Sequence, residues 1–255
     1  MSQRLGPIAG GVLALGALTL GGCATNNPGD PLEPYNRAMF NVNQHVDRAV
    51  MKPAAVAYKN VTPTPLRHGI SNVFGNFDDM WSTANDLAQG HVAEAANGLL
   101  RVEVNTVFGL FGLIDIATEM GLYRHPNDFG LTLARYGIGA GPYFVMPLLG
   151  PSTVRDAAAT PVDIYYGPRP YYNSSNVAGR NWTTALGYVD KRANLLATTD
   201  LIEKIAIDPY VFTRDAYLQR RASRVRDVRE LGVLGTGEAS AEPASPAASS
   251  AAAQP

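Results

Sequence analysis

The sequence predicts an all-α protein, and three observations predict it. Helix starts of the cap-plus-proline kind recur at Asp30-Pro31, Thr64-Pro65 and Asp208-Pro209. Glycines stand where helices would stop, at Gly90 and Gly137. No run alternates convincingly with period two, and no Asn-Gly turn joins two apolar runs. Of 255 residues, 46% are hydrophobic and 17% charged, against roughly 25% charged in soluble domains, so the chain forms a core and keeps a bare surface. Twenty-one Lys+Arg against 22 Asp+Glu leave no basic field to hold a nucleic acid. Eighteen prolines and 25 glycines argue against a long coiled coil.

Residues 1–22 read as a signal peptide: Arg4 gives the positive start, Ile8 to Leu20 the apolar stretch, and Gly21 and Gly22 the small residues before cleavage. The stretch is too short to span a bilayer. The single cysteine, Cys23, follows Leu20-Gly21-Gly22, which resembles a bacterial lipoprotein box. That resemblance implies cleavage before Cys23, acylation of that cysteine as the first mature residue, and, with Ala24 rather than aspartate next, export to the outer membrane. Several acyl chains anchor stably where one does not. Residues 23–29 then form a tether, 30–231 one helical domain, and 232–255 an Ala/Ser/Pro-rich tail too poor in apolar surface to offset its ordering entropy.

Within the domain, Asp30, Pro31 and Glu33 supply a cap, a first-turn proline and a capping-box acid, and Tyr35, Met39, Val42, Val46 and Ala49 repeat at helical spacing until Pro53. Thr64-Pro65 opens a second helix. Asp78 to Gln89 reads as another, closed by Gly90, and Asp128 to Tyr136 as a short one closed by Gly137. Asp200 with Glu203 repeats the capping box, and Asp208-Pro209 opens a last helix reaching about Leu231.

Two stretches are too apolar for a soluble surface and too broken to span. Asn105 to Ile114 carries no charge and reaches about half of a hydrocarbon layer of ~30 Å at roughly 1.5 Å per residue. Taken by itself it reads as a buried core helix; the alternative is an element lying in one leaflet. Tyr136 to Val154 is also uncharged, yet Gly137, Gly139, Gly141, Gly150, Pro142, Pro147 and Pro151 forbid a straight helix. It reads as a hinge or channel wall, or as an ordinary buried loop. Tyr165, Tyr166, Tyr171, Tyr172, Trp182 and Tyr188 suit a membrane interface or a Tyr-rich turn on a soluble core. The arginines from Arg214 to Arg229 are interrupted by Asp215 and Asp227 and read as a solvated helix face.

No catalytic constellation emerges. There is no Gly-x-Ser-x-Gly elbow, no His-Glu-x-x-His motif and no phosphate loop. His45, His68, His91 and His125 are scattered; His91 with Glu94 is a metal pair only by spacing, and Asp128 beside His125 reads as a helix cap. No enzyme, metal or cofactor is expected.

Blocks in order through residues 30–221 resemble the MlaA/VacJ family of outer-membrane lipoproteins. They are DPLEPYNRAMFN (30–41), PLRHGISNVF (65–74), Asn105-Thr106, Gly112 to Asp115, His125, Phe129-Gly130, YGIGAGPY (136–143), Leu148 to Gly150, Arg155-Asp156, Asp208 to Tyr210, Arg214, Ala216-Tyr217 and Gln219 to Arg221. The resemblance implies a ring-like helical domain lying in the inner leaflet, with an amphipathic channel. It implies removal of mislocalised phospholipid from the outer leaflet, association with a trimeric porin and delivery to the periplasmic carrier MlaC. By position it makes Gly137, Gly139, Gly141 and Pro142 a hinge or channel wall, and sets Phe40 and Asn41 near the gate. Arg135 and Arg155 flank the glycine segment; their forks suit a lipid phosphate, or pair with Asp128 or Asp156 to fix helix ends. The rival readings are a membrane-anchored scaffold that conducts no lipid and a lipoprotein phospholipase.

Overall fold

The computed structural model describes residues 29–167 and 176–234. The signal peptide, Cys23, Tyr171, Tyr172 and most of the C-terminal tail lie outside the described residues. In chain order come α1 (Glu33–Val46), a π-helical turn (Asp47–Met51), α2 (Lys52–Val61), α3 (Thr64–Gln89), α4 (Val92–Val107), α5 (Ile116–Glu119) and α6 (Phe129–Arg135). A two-stranded hairpin follows, β1 (Tyr143–Met146) and β2 (Gly150–Thr153), and then α7 (Val154–Tyr166), α8 (Val177–Ile205) and α9 (Pro209–Leu234). The fold is all-α with this one hairpin inserted.

Several expected ends move. Asp30 does not cap α1, whose N-cap is Leu32 without a side-chain bond. Its buried carboxylate instead accepts from Asn36 Nδ2 at 2.9 Å and from the Tyr210 hydroxyl, because partners on α9 reach it before the local backbone does. Pro53 does not end the helical path. The π-helical turn widens the backbone just before it, and the proline falls in the first turn of α2, where no N–H is needed. Asp200 and Glu203 start nothing; they sit inside α8, drawn across to Lys52 of α2 at 2.7 and 3.6 Å. The two helices expected over 64–89 are one of 26 residues, closed by Gly90 in the left-handed region as expected. Asp128 and Asp208 do cap, accepting from the amides of Leu131 and of Tyr210 and Val211.

The hairpin corrects the strand-free expectation. β1 and β2 pair antiparallel from Tyr143 with Thr153 to Met146 with Gly150. Four-residue strands carrying Pro151 leave no periodic signal in the sequence. Gly137 and Gly141 bring the chain into the hairpin at φ of +87° and +69°, a region that favours glycine.

The run 105–114 is not a buried helix. α4 stops at Val107, and Phe108 to Ile114 form a tight turn held by the bonds Phe111 N–H to Thr106 C=O, Gly112 N–H to Asn105 C=O and Ile114 N–H to Gly109 C=O. Leu110 and Phe111 occupy positive φ (+52° and +60°), a strained geometry that turns their side chains outward. Phe111 is 83% exposed, and Phe108, Leu110, Leu113 and Ile114 are exposed with it.

This exposure is part of a general inversion. Among the described residues, buried polar and charged side chains outnumber buried apolar ones, while large apolar side chains such as Leu66, Val92, Leu99, Trp182 and Ile207 face outward. Apolar clusters are small: Ala55, Ala193 and Leu196 join α2 to α8, and Tyr143, Val145 and Tyr210 join the hairpin to α9. The rest of the interior is held by hydrogen-bonded charges. Arg101, 1% exposed, bridges Asp79 of α3 and Asp115 at the start of α5, both at 3.2 Å. A protein in water hides apolar groups and shows polar ones; this one shows large apolar areas.

Candidate functional site

The hairpin is the centre of the site, and two asparagines of α1 hold it. Asn36 donates to the Tyr143 carbonyl at 3.1 Å and accepts from the Val145 amide at 2.9 Å. Two turns on, Asn43 donates to the Met146 carbonyl at 2.9 Å and accepts from the Leu148 amide at 2.7 Å. A carboxamide carries one acceptor and a two-proton donor, so each side chain satisfies both groups that a neighbouring strand would satisfy. The helix thus serves as the second neighbour of β1. Phe144 stacks on Tyr35 of the same helix at 5.2 Å, and Tyr143 packs on Tyr210 of α9 at 6.3 Å.

On one side of the hairpin lies a cavity of about 390 Å³ between α1, the π-helical turn, the ends of α8 and α9, and the loop Leu148–Leu149. That is within the range of roughly 300–1,000 Å³ usual for small-molecule sites. Its walls are mainly apolar, from Phe40, Val46, Met51, Val145, Leu149 and Ile202, with Asn43, Gln44 and Thr199 among them. Its charged residues are Asp47, Arg48, Arg192 and Glu203. Arg192 forks onto Asp47 at 2.6 and 2.8 Å, whereas Arg48 meets Glu203 only at 3.9 Å. On the other side, sharing Pro151, lies a polar cavity of about 350 Å³ lined by Asp128, Asp156, Asp163, Tyr217 and Arg221. Here Arg221 grips Asp128 and Asp156 together, with contacts of 2.6 to 2.8 Å. Asp163 accepts from the Trp81 indole at 2.8 Å and the Phe129 amide at 2.9 Å. Burial pushes the Asp163 carboxyl above its usual range, and these two donors pull against that.

The residues expected from the sequence fall unevenly around these cavities. Phe40 lines the apolar cavity and packs edge-on against Tyr210. Asn41 is exposed and faces away from it, its carbonyl bonded to His45 Nδ1 at 2.7 Å. Gly137, Gly139 and Pro142 are exposed on the approach to the hairpin, and no side-chain-sized obstacle faces Gly137 or Gly139; Gly141 packs near Val154. Arg155 is 5% exposed, its Nε bonded to Asp156 at 2.9 Å. Arg135 is half-buried at the end of α6, and its Nε has no hydrogen-bond partner. His91 and Glu94 line a separate cavity, and no group of three metal-ligating side chains occurs among the described residues. Asn43, Arg48 and Arg192 are not marked by the sequence, and Asn36 and Arg221 stand only within the family blocks, without a role. The available signal was two asparagines seven residues apart beside Met39 and Phe40 on an otherwise apolar helix stripe.

One buried acid offers a direct pH test. Asp86 of α3, 4% exposed, is pushed up to about 6 by burial, against the opposing bond from Asn127 Nδ2. A carboxyl raised in the folded state binds its proton more tightly there, so its contribution to stability is full below the unfolded value of 3.8 and is lost as pH rises through about 6. Asp86→Asn is therefore expected to gain up to about 3 kcal/mol over the native chain at pH 7.5, at about 1.4 kcal/mol per tenfold, with the gain vanishing near pH 4. Thermal unfolding of both chains at the two pH values checks this; an equal difference at both would refute it.

The inverted polarity, the outward apolar turn and the hairpin between an apolar and a polar cavity define a helical protein with an apolar outer surface and a polar interior. No helix among the described residues is long and apolar enough to cross a bilayer. Residues 28–224 match the family model for MlaA lipoprotein, and the chain belongs to that family. The Escherichia coli K12 "Intermembrane phospholipid transport system lipoprotein MlaA" is 36% identical over 217 residues, 82% of this chain and 85% of that protein. The Haemophilus influenzae protein of the same name is 36% identical over 226 residues, 84% and 88% of the two chains. A solved structure described as "Structural basis for maintenance of bacterial outer membrane lipid asymmetry" superposes with a TM-score of 0.64 at 36% identity, covering 77% of this chain and 98% of that one.

Proposed function

We propose that this chain is a non-enzymatic outer-membrane lipoprotein, anchored through Cys23. In this reading it takes mislocalised phospholipid from the outer leaflet through an amphipathic channel and hands it to a periplasmic carrier of the MlaC kind, beside a trimeric porin. The observation that carries the reading is the hairpin set between an apolar and a polar cavity that share Pro151. A phospholipid needs an apolar surface for its chains and a polar one for its headgroup, and here a thin partition separates the two. The names of the relatives support phospholipid as the cargo. The exposed turn Phe108 to Ile114 supports seating in one leaflet, where its apolar side chains leave water.

In this reading Gly137 and Gly141 let the hairpin approach swing, since both hold positive φ, and Gly139 and Pro142 form the exposed wall between them. Arg155 fixes the start of α7 through Asp156, while Arg135 is the flanking cation left to meet a phosphate. Transport runs down the lipid's own gradient.

The test is surface-exposed phospholipid on cells lacking the gene, restored with the native chain or with Thr213→Trp. Thr213 lines the apolar cavity, and the indole fills it. Deletion is expected to raise surface phospholipid, the native chain to correct it, and the plugged variant, at equal outer-membrane abundance, to fail. Full correction by the plugged variant would favour the scaffold reading. No effect of deletion would end the transport reading, and fatty acid release by the purified chain would point to the phospholipase.

A further inference from the structure

The charged lip of the apolar cavity has a balance that nothing in the transport reading requires. Its lining holds two anions, Asp47 and Glu203, and two cations, Arg48 and Arg192. They are not equivalent. Arg192 is 12% exposed by side chain, forked onto Asp47 and bonded to Thr199 at 2.9 Å, so its donors are committed. Arg48 and Glu203 are 58% and 35% exposed and stand 3.9 Å apart, beyond hydrogen-bond length. Such a pair contributes little and opens cheaply. Arg48 is steadied by Gln44 at 2.7 Å, and Glu203 also faces Lys52 at 3.6 Å, so opening the pair leaves both side chains in place.

We infer that this lip selects zwitterionic phospholipid headgroups, the phosphate meeting Arg48 and the headgroup ammonium meeting Glu203. The inference rests on the lipid-path reading and adds the headgroup class. A zwitterion entering between Arg48 and Glu203 replaces one weak ion pair by two charge-assisted contacts and leaves the lining neutral. An anionic headgroup satisfies Arg48 but sets its own charge beside Glu203, whose remaining cation, Lys52, is shared with Asp200 at 2.7 Å, at a cost that grows next to an apolar wall. The polar cavity beyond the hairpin does not offer the same choice. Arg221 there is locked between Asp128 and Asp156, Arg224 is bonded to the Pro126 carbonyl, Asp78 is paired with Lys191, and Asp163 is held by two donors.

The experiment uses the full-length lipoprotein in detergent with a tail-labelled fluorescent lipid, displaced by phosphatidylethanolamine or phosphatidylglycerol of identical chains. The native chain is expected to prefer phosphatidylethanolamine by about fivefold or more. Glu203→Gln, which leaves the lip net positive, is expected to move the preference toward phosphatidylglycerol. Arg48→Gln, which leaves it net negative, is expected to move it further away. Opposite shifts cannot come from loss of fold, which lowers both affinities together. Equal displacement of the native chain by the two lipids, or the same shift in both variants, overturns the headgroup inference and leaves the lipid path standing. Displacement by neither lipid overturns both.

Discussion

Arg221→Ala is expected to lower the unfolding free energy by about 3–5 kcal/mol, the cost of removing one partner from a buried charge group. One guanidinium serves two carboxylates: Asp128, which caps α6, through Nη1 and Nη2 at 2.6 and 2.7 Å, and Asp156, in the first turn of α7, through Nε and Nη2 at 2.8 Å each. Three helices meet at this residue. Burial alone would raise the Asp156 carboxyl, but the Arg221 bonds and charge, with a bond from the Tyr217 hydroxyl, hold it below its usual range. A carboxyl lowered in the folded state contributes stability above its unfolded pKa and loses it as pH falls through the folded value. The deficit of the variant is therefore expected to be largest near pH 7 and to shrink below pH 4, where protonation of Asp156 removes the charge that Arg221 would have met. Arg221→Lys should recover little, because an ammonium is a point charge and does not fork. Thermal unfolding in detergent at the two pH values measures this, and a deficit under about 1 kcal/mol at pH 7 would mean that the arginine is not the joint between these helices.

The second large effect lies in the asparagine clamp. Asn36→Ala removes the partner of the buried Tyr143 carbonyl and Val145 amide and one partner of Asp30. Unsatisfied buried groups cost about 1–3 kcal/mol each, so a loss of about 3–5 kcal/mol is expected. Asn43→Ala sits at the half-buried end of the clamp and is expected to cost about 1 kcal/mol. Its signature is local: faster hydrogen exchange at the Leu148 amide, with Val145 unchanged. Asn36→Ala should instead release the Val145 amide. Identical exchange patterns in the two variants would show that the hairpin is held by something other than these two side chains.

Much of the architecture was legible, and the failures share a cause. Gly90, Asp128 and Asp208 worked because cap and stop chemistry is local, each acting on a backbone group a few residues away; Thr64-Pro65 marked the right start through its first-turn proline, although Pro63 holds the cap position and no side chain caps it. Asp30, Asp200 and Glu203 failed because each had a partner far along the chain that won: Tyr210, and Lys52 for the other two. Pro53 failed because a π-helical turn absorbed it, which no propensity announces. The hairpin stayed hidden because the outer edge of β1 is bonded by Asn36 and Asn43 of a helix rather than by another strand. At the site, Phe40 could be read from the family blocks. Arg221 also stood in those blocks but read as part of a solvated arginine face, and Arg48 and Arg192 could not be told from surface arginines, since what distinguishes all three is the carboxylate that each meets in space.

The inverted interior also shapes how stability responds to temperature. Unfolding raises heat capacity because apolar surface becomes hydrated and lowers it as polar surface does, with a usual net of about 12–15 cal/mol/K per residue. Here the side chains released on unfolding include Asn36, Asp79, Arg101, Asn105, Asp156 and Arg221, while many of the large apolar groups are already outside. The increment per residue is then smaller than usual, and the curve of free energy against temperature is correspondingly flat. Folding strength changes little between a cold and a warm environment, and the chain resists cold denaturation better than a soluble domain of the same length whose interior is oil.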